Sequence, residues 1–375
     1  MEILKLNAIS PLVGDILTAD NYTISDTASA PVAILVRSAN MHEYALPESV
    51  IAVARAGAGV NNIPLDKMAE CGVCVFNTPG ANANAVKELV IGALIIASRK
   101  IVRGINWVQS LGGEDVAKAV EKGKKAFVGQ EILGKTLGIV GLGAIGRLVS
   151  DAALALGMNV VGYDPYLSPA LSAKLDSRVK TVSDLGALYA VSDYITLHVP
   201  STPQTKGCIN KDSISGMKDG VVIINCARGD LFVDDDVIEA VKSGKIERVV
   251  TDLPNNKLIG VDGIITIPHL GASTPEAEDN CAVMAAKELK DYIEQGIVVN
   301  SVNFPCLNPG AKPAGKVRIT ALTKTDALPE ALKAVNGESK SATRGDYAYI
   351  VADCDEDCSS ALEKVKGVIK VRVIK

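Results

Sequence analysis

Aromatic residues make up only 4% of this 375-residue chain, with a single tryptophan and four phenylalanines, so its interior has to be filled by aliphatic side chains. Cysteine is sparse too: 8 in so long a chain exclude a disulfide scaffold. A basic excess is missing, since 39 Lys and Arg against 43 Asp and Glu leave a net charge of −4. That balance gives no electrostatic reason to expect nucleic acid or an anionic membrane as partner. No uncharged run reaches the roughly 18–20 apolar residues of a membrane span, and no basic leader with an apolar core and cleavage site opens the sequence. What is present is 48% hydrophobic and 22% charged, enough to bury a large core. The expectation is a soluble, cytoplasmic protein of two domains with a small third.

Three regions separate on pattern. From Pro31 the runs VAILVRS, SVIAVARAGAGV and GVCVFNTPG are β-rich and end in Gly, Asn or Ser, which reads as βαβ units and a parallel sheet. The stretch from Ala83 to about Arg103 is long and apolar, but Lys87 and Glu88 interrupt it early, so it reads as a buried helix linking two domains. A second α/β series runs from Lys135 to His269, with TLGIVGLG, NVVGYDP, YITLHVP, GVVIINCARG, RVVTDLP and GIITIPHLG as six candidate strands. STPEAEDNCAVMAAKELKDYIEQG follows as a helix, capped by Ser273 or Thr274, with Pro275 in its first turn and Gly296 at its end. Proline-rich residues 304–314 read as a linker, and the tail beyond them as strand–helix–strand–helix–strand. A unit of about sixty residues is marginal alone, so it is expected to dock on something.

The strongest local signal is Gly141-Leu142-Gly143-Ala144-Ile145-Gly146, directly after the apolar run TLGIV and before a helical pattern. Gly141 permits the tight turn, Gly143 lets backbone approach a pyrophosphate, and Gly146 allows close helix–strand packing. Unpaired N–H groups at the helix start, at Ala144 and Ile145, face the phosphates. Asp164 ends the next strand and can accept both ribose hydroxyls while repelling a 2′-phosphate, which predicts NAD over NADP. The bland alternative is an incidental aspartate in that loop.

Three further segments supply chemistry. Arg228, in Asn225-Cys226-Ala227-Arg228-Gly229-Asp230, follows a buried strand at the carboxyl end of the sheet, where ligands bind. Its fork suits a carboxylate or carbonyl, unless it simply pairs with Asp230 or Asp234. His269 ends a buried strand just before a helix and is the candidate acid/base, because oxidising an alcohol moves a proton on oxygen. His42 and His198 lack that placement. Arg37-Ser38 and Arg55-Ala56-Gly57 close two strands of the first region as a plausible anion site, or as a tight crossing with solvated arginines.

Taken together, these residues resemble the D-2-hydroxyacid dehydrogenase family, and most closely its phosphoglycerate dehydrogenases. The likeness rests on VRSA at Val36–Ala39, RAGAGVNN at Arg55–Asn62, FNTPG at Phe76–Gly80, GLGAIG, NCARG and PHLGAST. It implies an α/β chain of two doubly wound parallel-sheet domains, catalytic and Rossmann NAD-binding, plus a small α+β ACT-like C-terminal module. The implied boundaries are residues 1–98 with 275–303 for the catalytic domain, 99–274 for the NAD-binding domain and 304–375 for the linker and module, with the active site in the cleft. The implied roles give Arg228 the substrate carboxylate, assisted by Ala56 and Gly57, and His269 the proton. Thr78, Val199, Pro200, Cys226, Asp252 and Gly271 line the nicotinamide side, and Arg55, Arg37 and Ser38 face the substrate phosphate. The implied reaction is NAD-dependent oxidation of 3-phospho-D-glycerate, the first step towards serine, by a homodimer or tetramer that needs no metal. Alternatives are another 2-hydroxy acid, such as glyoxylate, hydroxypyruvate or D-lactate, and a non-catalytic NAD(H)-sensing interaction protein.

Two departures from the family pattern stand out. The glutamate that pairs with the family's histidine falls here at Lys257, or at Asp262 if the loop is shifted. The expectation is that His269 works without a carboxylate partner, its acidic limb of activity displaced to lower pH, with Lys257 helping to hold an anionic substrate. The tail resembles a shortened ACT domain: residues 336–345, where a second strand belongs, are short and polar, and the loop at Thr323–Ala327 lacks the usual Pro-Gly turn. Weak or absent serine feedback follows. The cysteine pairs Cys71/Cys74 and Cys354/Cys358 read as buried or idle thiols, the second flanked by three acidic residues.

Overall fold

Runs of Val, Ile, Leu and Ala bounded by Gly, Asn and Pro become buried parallel strands in two stretches of the chain, since β-branched residues suit a pleat covered on both faces. The computed structural model describes residues 1–113 and 115–374. It separates into two units, Met1–Asn82 with Pro275 onward, and Ala83–Thr274.

In the first unit β1 (Glu2–Leu6), β2 (Thr23–Ser25), β3 (Ala33–Val36), β4 (Ala52–Arg55) and β5 (Cys74–Asn77) form a parallel sheet in the order β2-β1-β3-β4-β5. The last three are the expected apolar runs; β1 and β2 extend the sheet ahead of Pro31. The helix Pro275–Gln295 packs on β4 and β5 through Ala282, Ala285, Ala286, Leu289 and Tyr292. It stops at Gly296, whose φ of +65° suits the residue that ends a helix.

The same unit carries an antiparallel sheet of β13 (Val317–Lys324), β14 (Gly337–Arg344), β15 (Tyr347–Cys354) and β16 (Val368–Ile374), ordered β14-β15-β13-β16. The module is therefore not shortened. Its polar segment 337–344 is a full edge strand, exposed at nearly every position and held by backbone pairing to β15 across the Gly345-Asp346 turn. An edge strand of this kind needs no apolar alternation, and charge there guards against unwanted pairing. The module docks as expected: Leu322, Tyr349 and Val351 join the core of the five-stranded sheet and the long helix. Arg318 of β13, fully buried, reaches the linker carbonyls of Gly310 (2.7 Å) and Ala311 (3.3 Å) and pairs with Asp353 at 2.7 Å, so the proline-rich segment is pinned.

The second unit holds seven parallel strands: β6 (Thr136–Val140), β7 (Asn159–Tyr163), β8 (Lys180–Thr181), β9 (Tyr194–Leu197), β10 (Val221–Asn225), β11 (Ile246–Thr251) and β12 (Ile264–Thr266). Their order is β12-β11-β10-β9-β6-β7-β8, the doubly wound arrangement with its switch point between β6 and β9. Six are the expected runs; β8 is a two-residue exposed edge with no apolar signal. The Ala83–Arg99 helix lies in this unit, packed on the Ala144–Ala155 helix, and a left-handed Lys100 (φ 50°) separates it from the next helix. No helix among the described residues is long and apolar enough to cross a membrane.

Candidate active site

Every candidate residue of the second unit lies past the carboxyl end of a strand. At the switch point β6 runs into Gly141, whose φ is +95° and whose added Cβ would come within 2.7 Å of the His198 carbonyl oxygen. A Cβ at Gly146 would run into the Gly141 carbonyl, so helix and turn are packed as closely as glycine alone allows. Gly143 faces open space. It caps the Ala144–Ala155 helix without any side-chain hydrogen bond, leaving the first N–H groups of that helix to an incoming anion. Asp164 follows β7; its Oδ2 accepts the Leu142 N–H and its Oδ1 the Tyr166 N–H, both at 2.9 Å. The carboxylate is thus fixed beside the glycine turn, and each oxygen keeps a lone pair for a ribose hydroxyl. Val199 packs against Gly141 from the end of β9, next to Pro200. His198 is structural: its Nε2 meets Thr196 Oγ1 at 3.0 Å, and burial pushes it down to about 3, which keeps the ring neutral.

A pocket of about 630 Å³ opens past β10, β11 and β12, lined by residues that include Gly229, Asp230, Asp234, Asp252, Asn255 and His269. Asn225, buried at the end of β10, folds the next loop back on itself: its Nδ2 donates to the Arg228 carbonyl (2.8 Å) and its Oδ1 accepts the Ala227 N–H (3.1 Å). Arg228 donates through Nη1 to the Ala227 carbonyl at 2.6 Å. It makes no ion pair with Asp230 or Asp234 among the described residues; Ser201 and Asn255 hydrogen-bond those carboxylates instead, at 2.5 and 2.9 Å. Asp252 is 1% exposed. Its Oδ2 accepts the Gly271 N–H at 3.1 Å, while Oδ1 is buried with no hydrogen-bond partner among the described residues. A buried acceptor left so costs about 1–3 kcal/mol unless a ligand supplies a donor, so Asp252 fits the carboxamide of a nicotinamide. Burial raises its carboxyl above the usual range, and burial, then Asp252, pushes the Cys226 thiol up to about 12. Cys226 stays a neutral wall. His269 is exposed, and its carbonyl accepts Ser273 Oγ at 3.3 Å.

Lys257 does not take the place expected of it. Its ammonium pairs with Asp235 at 2.7 Å on the surface, and neither Lys257 nor the exposed Asp262 lines the pocket that holds His269. The Asn255 side chain accepts the Lys257 and Leu258 N–H groups (2.9 and 3.1 Å), turning the loop so that the lysine points to the acidic start of the Asp234–Lys242 helix. The carboxylates that do line the pocket are Asp230, Asp234 and Asp252.

In the first unit Arg37, Ser38, Arg55, Ala56, Gly57 and Thr78 lie at the carboxyl ends of β3, β4 and β5. Arg55 Nε donates to the Arg37 carbonyl at 3.1 Å, and Arg37 Nη2 meets Glu278 Oε1 at 2.7 Å. The assisting role expected of the Ala56 and Gly57 amides fails. Ala56 N–H extends the ladder to the Val36 carbonyl and Gly57 N–H closes onto the Arg55 carbonyl, both at 2.8 Å. The amides of Ser38 and Ala39 are held by Asn7 Oδ1, at 3.2 and 2.6 Å. Thr78, fully buried, donates its N–H to the Gly57 carbonyl at 3.2 Å. Asn7 and Glu278 lie far from these residues along the chain, and no local signal in the sequence announces them.

Residues 91–271 match the family model described as "D-isomer specific 2-hydroxyacid dehydrogenase, NAD binding domain". The D-3-phosphoglycerate dehydrogenase of Methanocaldococcus jannaschii is 38% identical over 264 residues, covering 69% of this chain and 48% of that protein. The hydroxypyruvate reductase of Thermotoga maritima is 39% identical over 254 residues, 65% of this chain and 78% of that one. Among solved structures, the NAD+-bound 3-phosphoglycerate dehydrogenase of Entamoeba histolytica superposes with a TM-score of 0.64 at 25% identity, covering 82% of this chain and 99% of that chain. The chain spans about half the length of the first two curated D-3-phosphoglycerate dehydrogenases it matches.

Proposed function

We infer that this chain, which belongs to the D-isomer specific 2-hydroxyacid dehydrogenase family, oxidises 3-phospho-D-glycerate to 3-phosphohydroxypyruvate with NAD. The carrying observation is Arg228, which among the described residues pairs with no carboxylate although Asp230 and Asp234 are its near neighbours in sequence. A half-buried loop arginine kept so is poised for a carboxylate of the substrate. A bound NAD would supply the hydride acceptor for the alcohol carbon. His269 takes the hydroxyl proton, a step worth roughly 10²–10⁴ in rate. The Ala144–Ala155 helix start and Asp164 hold the dinucleotide, Asp252 and the neutral Cys226 thiol orient its nicotinamide, and Arg37 with Arg55 takes the phosphate. Arg228→Lys, which keeps the charge but loses the fork, is expected to lower kcat/KM by at least about tenfold, the equivalent of ~1.4 kcal/mol. An unchanged kcat/KM removes Arg228 from the reaction.

The Arg37–Glu278 ion pair supports a second reading, an unphosphorylated 2-hydroxy acid such as hydroxypyruvate, because Glu278 already balances one of the two cations. Replacing both Arg37 and Arg55 by alanine separates the two: KM rises for 3-phosphoglycerate alone under the first reading and for neither acid under the second.

A homodimer in the cytoplasm completes the proposal. The helices Ile101–Gln109 and Val116–Gly123 bury no residue, yet carry exposed Ile105, Val108 and Val116. Such a face is of the kind that a second copy covers.

A further inference from the structure

All 8 cysteines are free thiols. Two of them meet. Cys354 ends β15 fully buried in the small core of the antiparallel sheet, and Cys358, half-buried just before the Ser359–Leu362 helix, packs on the same core. Their sulfurs are 3.7 Å apart. A disulfide has sulfurs about 2.05 Å apart, so bond formation asks for a sulfur displacement of under ~2 Å. The two ends differ in freedom. Cys354 is paired on both sides, to Val317 of β13 and Gly337 of β14, and its sulfur lies so close over Gly337 that a Cβ there would stand 2.8 Å away. Cys358 follows the exposed residues Asp355-Glu356-Asp357, outside the strand pairing that holds Cys354. Other thiols face elsewhere: the Cys74 sulfur meets Ser301 Oγ at 3.3 Å and the Cys208 sulfur the Leu231 carbonyl at 3.7 Å.

We propose that Cys354 and Cys358 are a modification site, a dithiol that closes to a reversible disulfide with small-molecule disulfides of the glutathione type. Cys358, as thiolate, attacks one sulfur of the oxidant, whose S–S bond breaks and releases one thiol. The Cys354 sulfur gives its proton to water and attacks Cys358 Sγ, expelling the second oxidant thiol. Two protein thiols are oxidised and one small disulfide is reduced to two thiols. Burial raises the Cys354 thiol above its ordinary range, which makes it the resolving sulfur and Cys358 the attacking one. The product ties the end of β15 to the start of the following helix.

The test uses the whole chain, incubated with oxidised glutathione at about pH 8.5, near the ordinary thiol midpoint, then denatured, alkylated and mapped by peptide mass. The segment 345–364 between Arg344 and Lys364 carries both cysteines. It is expected to lose two hydrogens and take no label, to regain both labels after dithiothreitol, and to keep Cys354 labelled in Cys358→Ser. Full labelling of both cysteines while other thiols are oxidised, or a lasting glutathione adduct on Cys358 with Cys354 still labelled, would overturn the proposal.

Discussion

Glu278 is the residue through which charge tunes the first unit's arginines. Held 2.7 Å from Arg37, with both side chains about a third to two-fifths exposed, it withdraws one positive charge from any anion bound there. Glu278→Gln is expected to lower KM for 3-phosphoglycerate severalfold and leave KM for D-glycerate where it was; equal shifts in both would place Arg37 outside the phosphate contact. Lys257 behaves in the opposite way. Because Asp235 holds it on the surface, Lys257→Glu should leave the pH profile of turnover unmoved. A displaced acidic limb in that variant would bring position 257 back to the imidazole. At this scale the sequence was most legible where glycine is demanded by backbone conformation, as at Gly141, or by close packing, as at Gly146. It was least legible where partners come from distant segments. Nothing near Arg37 points to Glu278 or Asn7, and the amides of Ala56 and Gly57 look available until the ladder to β3 claims one and the local turn the other.

The strand elements were readable because a strand buried on both faces must be a continuous apolar run, and β3 to β5 and six strands of the second sheet are such runs. β14 escaped for the converse reason: its stability lies in backbone pairing to β15, to which side-chain pattern is blind. The module's attachment rests on Arg318, fully buried and paired with Asp353, which is 19% exposed at its side chain. Arg318→Ala leaves that carboxylate with no cation and frees the linker carbonyls, so unfolding should become easier by about 3–5 kcal/mol, the usual effect of breaking a buried pair. A denaturant midpoint equal to that of the parent would show that the linker is held by something else.

At the scale of the whole molecule, one buried acid sets a slope of stability with pH. Glu288 lies on the long helix with one oxygen on Asn300 (2.7 Å) and the other buried without a partner among the described residues, and burial pushes it up to about 8. Its folded value lies above its unfolded one, so the folded state keeps the proton while the unfolded chain releases it. Stability from this group is full below about pH 4.5 and drains away as pH rises towards 8, flattening beyond. Glu288→Gln should lessen that slope, seen as a melting temperature that falls less from about pH 5 to 8; an unchanged slope would assign the pH dependence to other buried acids such as Asp252. The ACT-like module, docked on the first unit's core through Leu322, Tyr349 and Val351, serves packing in this account, and millimolar serine should leave turnover unaltered.

The most direct test of the account is NADH formation by the whole chain with 3-phosphoglycerate, D-glycerate and D-lactate side by side, in the parent and in His269→Ala. Turnover is expected on the phosphorylated acid, at most slight on the other two, with a loss of about 10²–10⁴ in His269→Ala while NADH still binds. Turnover of D-glycerate or D-lactate equal to that of 3-phosphoglycerate, or a His269→Ala enzyme as fast as the parent, would contradict it.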